Sequence, residues 1–332
     1  MSKCIKIKDQ EQRHALNAWA IAGYRGSVIA GTGFGKSRVG VLAVGKILRL
    51  NETQRGIVLV PTTQLQDQFK EEFHKWGYED VLDRVDILCY QSARKLREQH
   101  YGIVVADEIH LGLSKEYIKF FKLNTYDKLL CMTATQPEDP EYKVKLHMLA
   151  PEVYHISLDK CVELGLIAPY NIYCISVELT EEEKAEYKKA NQMFVHYKYK
   201  LGQFDAFNEA KRILASSNVG GHEKQWAVLF YKAIRQRKAV VDFAVNKIDT
   251  IKKIVFSKLT SKILTFAGAN EFTDRIADSL GDLAMAYHSK RTKKQKDLAL
   301  LSFRTNKVKV LCSTKALNQG FDVPDADMGI IC

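Results

Sequence analysis

Short apolar runs recur through the first half of the chain, separated by longer polar stretches in which apolar residues return every three or four positions. The runs are Ser27-Val-Ile-Ala30, Gly56-Ile-Val-Leu-Val60, Val85-Asp-Ile-Leu-Cys89, Tyr101-Gly-Ile-Val-Val-Ala106 and Lys128-Leu-Leu-Cys-Met132. Stretches such as Ile-Val-Leu-Val are apolar on both faces, as strands of a parallel sheet covered on both sides must be. Between them, Leu65, Phe69, Phe73 and Trp76 lie at helical spacing and predict a crossover helix over 64–76. Strand and helix alternating in this way predict a doubly wound α/β domain over residues 1–157.

The pattern then changes. Tyr170 to Leu179 alternates like a half-exposed strand, and Thr180 followed by Glu181-Glu-Glu183 reads as a helix N-cap with acids in its first turn. Residues 180–258 are helix-forming, with a break at Ser216-Ser-Asn-Val-Gly-Gly221. A second α/β pattern begins at Lys262-Ile-Leu-Thr-Phe266, continues through a helix near Phe272 to Leu280 and a strand at Val308-Lys-Val-Leu-Cys312, and reaches Met328-Gly-Ile-Ile-Cys332. The expected layout is one α/β domain over 1–157 and a second, incomplete one over 158–332 that carries a helical insertion at about 180–258.

Composition adds a partner. In 332 residues, 50 Lys and Arg against 39 Asp and Glu leave a net charge of +11. Such an excess favours a polyanionic partner, because neutralising phosphates releases counterions. The 7 cysteines are scattered, with no C-x-x-C pair, which argues against a zinc site or a disulfide framework and for reduced thiols. The N-terminus has no apolar signal region, and no apolar run approaches the length of a membrane span. A soluble, cytoplasmic protein that does not enter a membrane is the expectation.

Two segments carry chemistry. Ala30-Gly-Thr-Gly-Phe-Gly-Lys-Ser37 follows the first predicted strand and precedes a helical stretch. That is the setting of a phosphate-binding loop: glycines turn successive N–H groups toward phosphate, Lys36 reaches the β and γ oxygens, and the Ser37 hydroxyl ligates magnesium. Ala30 stands where the strict pattern has glycine, and a glycine-rich turn before a helix is the bland alternative. Asp107-Glu108 follows Ile103-Val-Val-Ala106, so both carboxylates fall at a strand's carboxyl end, where open α/β sheets bind ligands. Asp107 suits the metal side and Glu108 suits a base that orients water.

These residues and their neighbours resemble superfamily 2 helicases. Asp107-Glu-Ile-His110 is similar to the D-E-x-H box, and Thr133-Ala-Thr135 to the S/T-A-T motif that couples hydrolysis to the nucleic-acid site. Gln12 resembles the upstream glutamine that reads adenine, and Pro61-Thr-Thr-Gln-Leu65 the P-T-x-x-L motif of the nucleic-acid side. Tyr90-Gln-Ser92 resembles an element of the branch that holds the phage UvsW-type recombination helicases and the XPB-type DNA translocases. Ser313-Thr-Lys-Ala-Leu-Asn-Gln-Gly-Phe-Asp322 follows the family's motif V. The resemblance implies two RecA-like parallel-sheet domains in tandem. It also implies an ATP- and Mg2+-dependent motor on branched or forked DNA, serving replication, recombination or repair. ATP would be held by Gln12, Gly31, Thr32, Gly33, Phe34, Gly35, Lys36 and Ser37, with Gly320 and Asp322 approaching from the second domain; Ser37 and Asp107 would hold the metal. Lys36, Asp107 and Glu108 would carry catalysis, and His110, Thr133 and Thr135 the coupling. Pro61, Thr62, Thr63, Gln91, Ser92 and Thr314 would face the backbone of single-stranded or branched DNA, contacted by a monomer. Backbone contacts suit a motor that must step over any sequence. An ATP-driven clamp that never translocates, an RNA helicase and a restriction-type motor are the rival readings.

Basic stretches at 231–262 and 290–309 are either solvated helix faces or duplex contacts, while Tyr197, Tyr199 and Phe204 are expected in the core of the helical insertion. In the family a motif VI with two arginines follows the strand after motif V, and here that strand ends at Cys332. The sequence therefore reads as a piece of a longer protein. The 1–332 chain is expected to bind ATP yet turn it over at least ~10³-fold below an enzyme with its arginine finger, and a steady-state ATPase assay with DNA present checks this.

Overall fold

The computed structural model describes residues 3–216, 220–314 and 326–332. The chain divides into two compact units, Met1–Ile172 and Tyr173–Cys332. In the first, α1 (Lys3–Ile21) precedes β1 (Arg25–Ala30), α2 (Lys36–Leu50), β2 (Gly56–Val60), α3 (Thr63–Lys75), β3 (Val85–Cys89) and α4 (Tyr90–Ala93). It continues through β4 (His100–Ala106), α5 (Ile109–Gly112), α6 (Lys119–Leu123), β5 (Thr125–Thr133), α7 (Pro140–Leu149), β6 (Glu152–Ile156) and α8 (Leu158–Glu163). The six strands pair in the order β3-β2-β4-β5-β1-β6, and every pairing is parallel.

Alternation across the pleat explains why the central strands are apolar throughout. Val28, Ala30, Val58, Val60, Ile103, Val105, Leu130 and Met132 face the layer of α1, α2 and α3, where Trp19, Val44, Leu48, Phe69 and Phe73 cover them. Ile57, Leu59, Val104, Ala106, Leu129 and Cys131 face the opposite layer, under Phe120, Phe121 and Leu146. Trp19 Nε1 donates to the Leu129 carbonyl at 2.8 Å, which fixes α1 to β5.

In the second unit α9 (Glu181–Lys200), α10 (Ala206–Ala215) and α11 (Gly221–Asp242) come first. They pack around Leu201, Ala206, Ala210, Ile213, Ala227 and Phe230. Next come α12 (Val245–Ser257), β7 (Ile263–Ala267), α13 (Asn270–Leu280), β8 (Ala284–Tyr287), α14 (Lys293–Arg304), β9 (Val310–Thr314) and β10 (Met328–Ile331). The sheet order is β10-β7-β9-β8, again all parallel. Buried His288, at the end of β8, bonds Asp274 at 2.9 Å while Arg291 also reaches Asp274, so this histidine pins β8 to α13.

Several expectations need correction. The first unit runs past residue 157 to Ile172, because Cys161 and Leu166 are buried in its core. The helical insertion stops near Asp242 and not at 258, since Ile251 and Val255 of α12 pack with Phe272 and Ile276 against the sheet. Tyr170 to Leu179 is irregular; Ile172 and Tyr173 are each 80% exposed, and no strand among the described residues pairs with the segment. Alternation becomes a strand only where a neighbouring edge receives it. β6 and β8 were not anticipated. The Thr180 cap is present as a full capping box with Glu183. No helix among the described residues is long and apolar enough to cross a membrane.

Gly45, buried in α2, makes room for a neighbour: a Cβ there would lie 2.0 Å from the Tyr78 ring. Helix propensity alone would reward Gly45→Ala by about 1 kcal/mol, whereas overpacking costs about 1–3 kcal/mol. The clash is expected to win. Denaturant melts should show Gly45→Ala less stable by ~1 kcal/mol, with the Tyr78 ring displaced.

Candidate active site

Parallel pairing places the carboxyl ends of β1 to β5 along one edge of the first sheet, and the predicted site residues follow those ends. After β1 the chain enters the glycine-rich loop. Gly33 and Gly35 have φ of +90° and +87°, in the left-handed region that favours glycine. At Gly35 a Cβ would also meet Gln12 Nε2 at 2.5 Å, so a side chain is excluded twice over.

Gln12, on α1, is 1% exposed and holds this loop from behind. Its Nε2 donates to the Phe34 carbonyl at 2.7 Å, and its Oε1 accepts from Arg38 Nη1 at 2.7 Å. Arg38 also bonds Asp9 and lies 3.9 Å over the Trp76 ring. The Phe34 side chain is fully buried beside Tyr154, with centroids 5.9 Å apart, so it packs in the core and only its backbone belongs to the loop surface. Tyr154 Oη in turn donates to Glu11. Gly31 is buried, whereas Thr32 is exposed and Ser37 half-buried on the first turn of α2.

Lys36 Nζ donates to the Ala30 carbonyl at 3.0 Å and stands 4.0 Å from Glu108 Oε1. Asp107 is the counterpart at the end of β4. It is 6% exposed, its N–H donates to the Leu59 carbonyl, and Tyr90 Oη donates to its carbonyl at 2.7 Å. Burial, reinforced by the neighbouring Glu108 charge, pushes the Asp107 carboxyl up to about 7, against the pull of Lys36. Its Oδ1 is buried and has no hydrogen-bond partner. A desolvated carboxylate with an orphaned oxygen, within the field of Lys36, fits a divalent cation with nucleotide phosphates as its other ligands.

Glu108 has φ 46° and ψ 52°, a left-handed conformation costing about 1–2 kcal/mol for a residue with a Cβ. The kink turns its side chain toward β5. Thr133 Oγ1 stands 3.4 Å from Glu108 Oε2 and 3.1 Å from His110 Nδ1, and His110 Nδ1 lies 3.4 Å from Glu108 Oε2. Thr133 Oγ1 also donates to the Thr135 carbonyl at 3.0 Å. The DEIH box and the Thr-Ala-Thr segment thus form one polar triangle.

The remaining residues lie where β2 and β3 end. Pro61 and Thr62 are half-buried, while Thr63, Gln91 and Ser92 are exposed. The Thr62 hydroxyl caps α3 by accepting from Leu65 N–H at 3.4 Å, so it is partly committed. In the second unit Thr314 closes β9. Gly320 and Asp322 lie outside the described residues. Three supporting residues escaped sequence reasoning: Arg38, Tyr154 and the structural use of Tyr90. Only the Tyr90-Gln-Ser92 motif had drawn attention to one of them.

The chain is similar to several known proteins. The sequence profile of the DEAD/DEAH box helicase family matches residues 9–99, and that of the helicase conserved C-terminal domain matches residues 246–332. The chain is 27% identical to the DNA 3′–5′ translocase XPB2 of Sulfurisphaera tokodaii, over 98% of this chain and 74% of that protein. It is 23% identical to the Drosophila melanogaster general transcription and DNA repair factor IIH helicase/translocase subunit XPB, over 79% of this chain and 36% of that one. In fold it is similar to the Pyrococcus furiosus Hef helicase domain, with a TM-score of 0.58 at 15% identity, over 96% of this chain and 89% of that one.

The raised pKa of Asp107 means that its ionised form costs folding stability. That cost is absent at pH below the ordinary carboxylate value of 3.8, grows as pH rises from there to about 7, and is fully present above it. At pH well above that value, Asp107→Asn is expected to raise the Tm of the nucleotide- and metal-free protein by a few °C while abolishing hydrolysis. Calorimetry at alkaline and acidic pH checks this, the difference shrinking on acidification.

Proposed function

We propose that this superfamily 2 helicase, an ATP-dependent enzyme, is a DNA translocase that works on branched or forked DNA in replication, recombination or repair. The observation that carries the reading is the Glu108–His110–Thr133 triangle. It links the hydrolytic carboxylates at the end of β4 to the strand next door, all on the edge that also holds the phosphate loop. The XPB-named relatives, described as DNA translocases or repair-factor subunits, support DNA over RNA. The Tyr90-Gln91-Ser92 element supports the branch with the phage recombination helicases.

In this reading the backbone N–H groups of Gly31 to Gly35 cradle the ATP phosphates, and Lys36 exchanges its Ala30 carbonyl for the β and γ oxygens. Ser37 and Asp107 would hold Mg2+, which would supply positive charge to the phosphate oxygens during hydrolysis. Glu108 orients the attacking water, its carboxylate kept in place by the left-handed backbone. A loss of the γ-phosphate that alters Glu108 is felt by Thr133 and His110, and so by the segment leading to Thr135. Pro61, Thr62, Thr63, Gln91 and Ser92 on the same edge, with Thr314 of the second unit, would contact the DNA backbone. Gln12, its amide bonded to the Phe34 carbonyl and to Arg38, would have to release one of these partners to read adenine.

ATP hydrolysis should rise more with forked DNA than with blunt duplex or RNA, and Lys36→Ala should abolish it. Thr133→Ala should retain most hydrolysis yet lose at least about tenfold in strand displacement, since it cuts the link and leaves the phosphate site. Displacement assays on forked substrates, run beside ATPase assays, check both. Hydrolysis without any displacement by the unsubstituted chain would favour the clamp reading.

A further inference from the structure

The helical insertion does not bury its aromatics as the sequence suggests. Tyr197 is half-buried against the Leu201–Phe230 core, but Tyr199 is 73% exposed and Phe204 101% exposed. Tyr199 lies in the last turn of α9, and Phe204 in the turn between α9 and α10. The turn is not a loose end: Leu201 and Ala206, on either side of it, are 5% and 3% exposed, and Asp205 N–H donates to the Gly202 carbonyl. Gly202, at φ +87°, permits the reversal. An anchored turn therefore holds Phe204 wholly in solvent.

The position of the turn matters. The other end of α9 is fixed to α12, where Glu183 accepts from the Val245 N–H at 2.9 Å and Asn246 donates to the Glu178 carbonyl at 2.8 Å. From Glu183 to Lys200 the helix rises ~26 Å, so the aromatics stand at the far end of the insertion. Lys198 and Lys200 lie on either side of Tyr199 in the last turn of α9, with Lys200 Nζ 5.6 Å over the Trp226 ring, and Lys211 is carried by α10. The nearby acids are already engaged, Glu209 by Arg212 and Asp205 by Asn208.

We propose that the α9–α10 turn is a base-stacking tip: Tyr199 and Phe204 pack on unpaired bases where a duplex opens, and Lys198, Lys200 and Lys211 take the flanking phosphates. Every base presents a π face whatever its identity, so such a tip is indifferent to sequence. A closed duplex hides those faces within its stack, so the tip selects DNA that is open. Lysine is depleted at protein–protein interfaces, which makes a protein partner the poorer fit to this cation-rimmed, protruding surface. The inference rests on the DNA-motor reading above and adds the structure that the DNA must have.

The test compares the intact chain with Phe204→Ala, Tyr199→Ala and Phe204→Tyr. Binding would be measured on a fork with single-stranded arms and on a blunt duplex, with a fluorescent aminopurine at the first unpaired position of the fork. Each alanine variant should lose roughly tenfold in fork affinity and the stacking quench of the reporter, with blunt-duplex affinity changed by less than about twofold. Phe204→Tyr, which keeps the ring, should match the parent. Because both rings are exposed, thermal melts should be unchanged. Fork binding and quench unaffected by Phe204→Ala would overturn the proposal, and would fit a protein-docking tip instead. Equal losses on fork and duplex would overturn it as well. A parent chain that binds no DNA would instead bring down the motor reading itself.

Discussion

All six strands of the first unit run parallel, and that constraint arranges everything else in it. Each strand must deliver its carboxyl end to the same edge, and each return crossover must cover a face of the sheet. The faces are thereby dry, which is why Val28, Ile103 and Leu130 alternate with Ile57, Val104 and Leu129 with no polar break. The edge collects the loops. A glycine-rich loop after β1, acids after β4, a Thr-Ala-Thr at the end of β5 and short polar turns after β2 and β3 come from distant parts of the sequence, yet they share one rim. The order β3-β2-β4-β5-β1-β6 separates them further, with the glycine-rich loop, the acids and the Thr-Ala-Thr around β1, β4 and β5 and the exposed polar turns on β2 and β3.

Along that rim the protein accepts local penalties. Asp107 is desolvated with one oxygen unsatisfied, Glu108 sits in a left-handed backbone, and Gln12 is spent on supporting the loop. Each would be a defect in an ordinary core. They persist because the surroundings over-determine them: Tyr90 and Leu59 hold the backbone of Asp107, and α2 and α1 clamp the loop between Arg38 and Gln12. Such preorganised, unsatisfied groups are ready for a charged ligand.

The sequence made legible those parts where chemistry or burial dictates residue type. Strands apolar on both faces, the alternating glycines before Lys36 and the Asp107-Glu108 pair could be read directly. β6 could not: its Glu152, Tyr154 and His155 suit an edge position and imitate a loop. β8, Ala284-Met-Ala-Tyr287, is short and weakly apolar. Tyr170 to Leu179 had the period of a strand without a partner to make one. Arg38 and Tyr154 were invisible because their roles depend on contacts with Gln12 and Glu11, which sequence spacing does not reveal. Tyr199 and Phe204 were misplaced for a related reason, since helical spacing cannot tell whether a ring at a turn points inward or out.

The bond between Glu183 and Val245 has a mechanical meaning. Glu183 both closes the capping box of α9 and holds the start of α12, whose Ile251 and Val255 are embedded in the second sheet's core. The insertion is thus tied, at the Glu183 end of α9, to an element embedded in that sheet's core, and the Tyr199–Phe204 turn lies a full helix length from that tie.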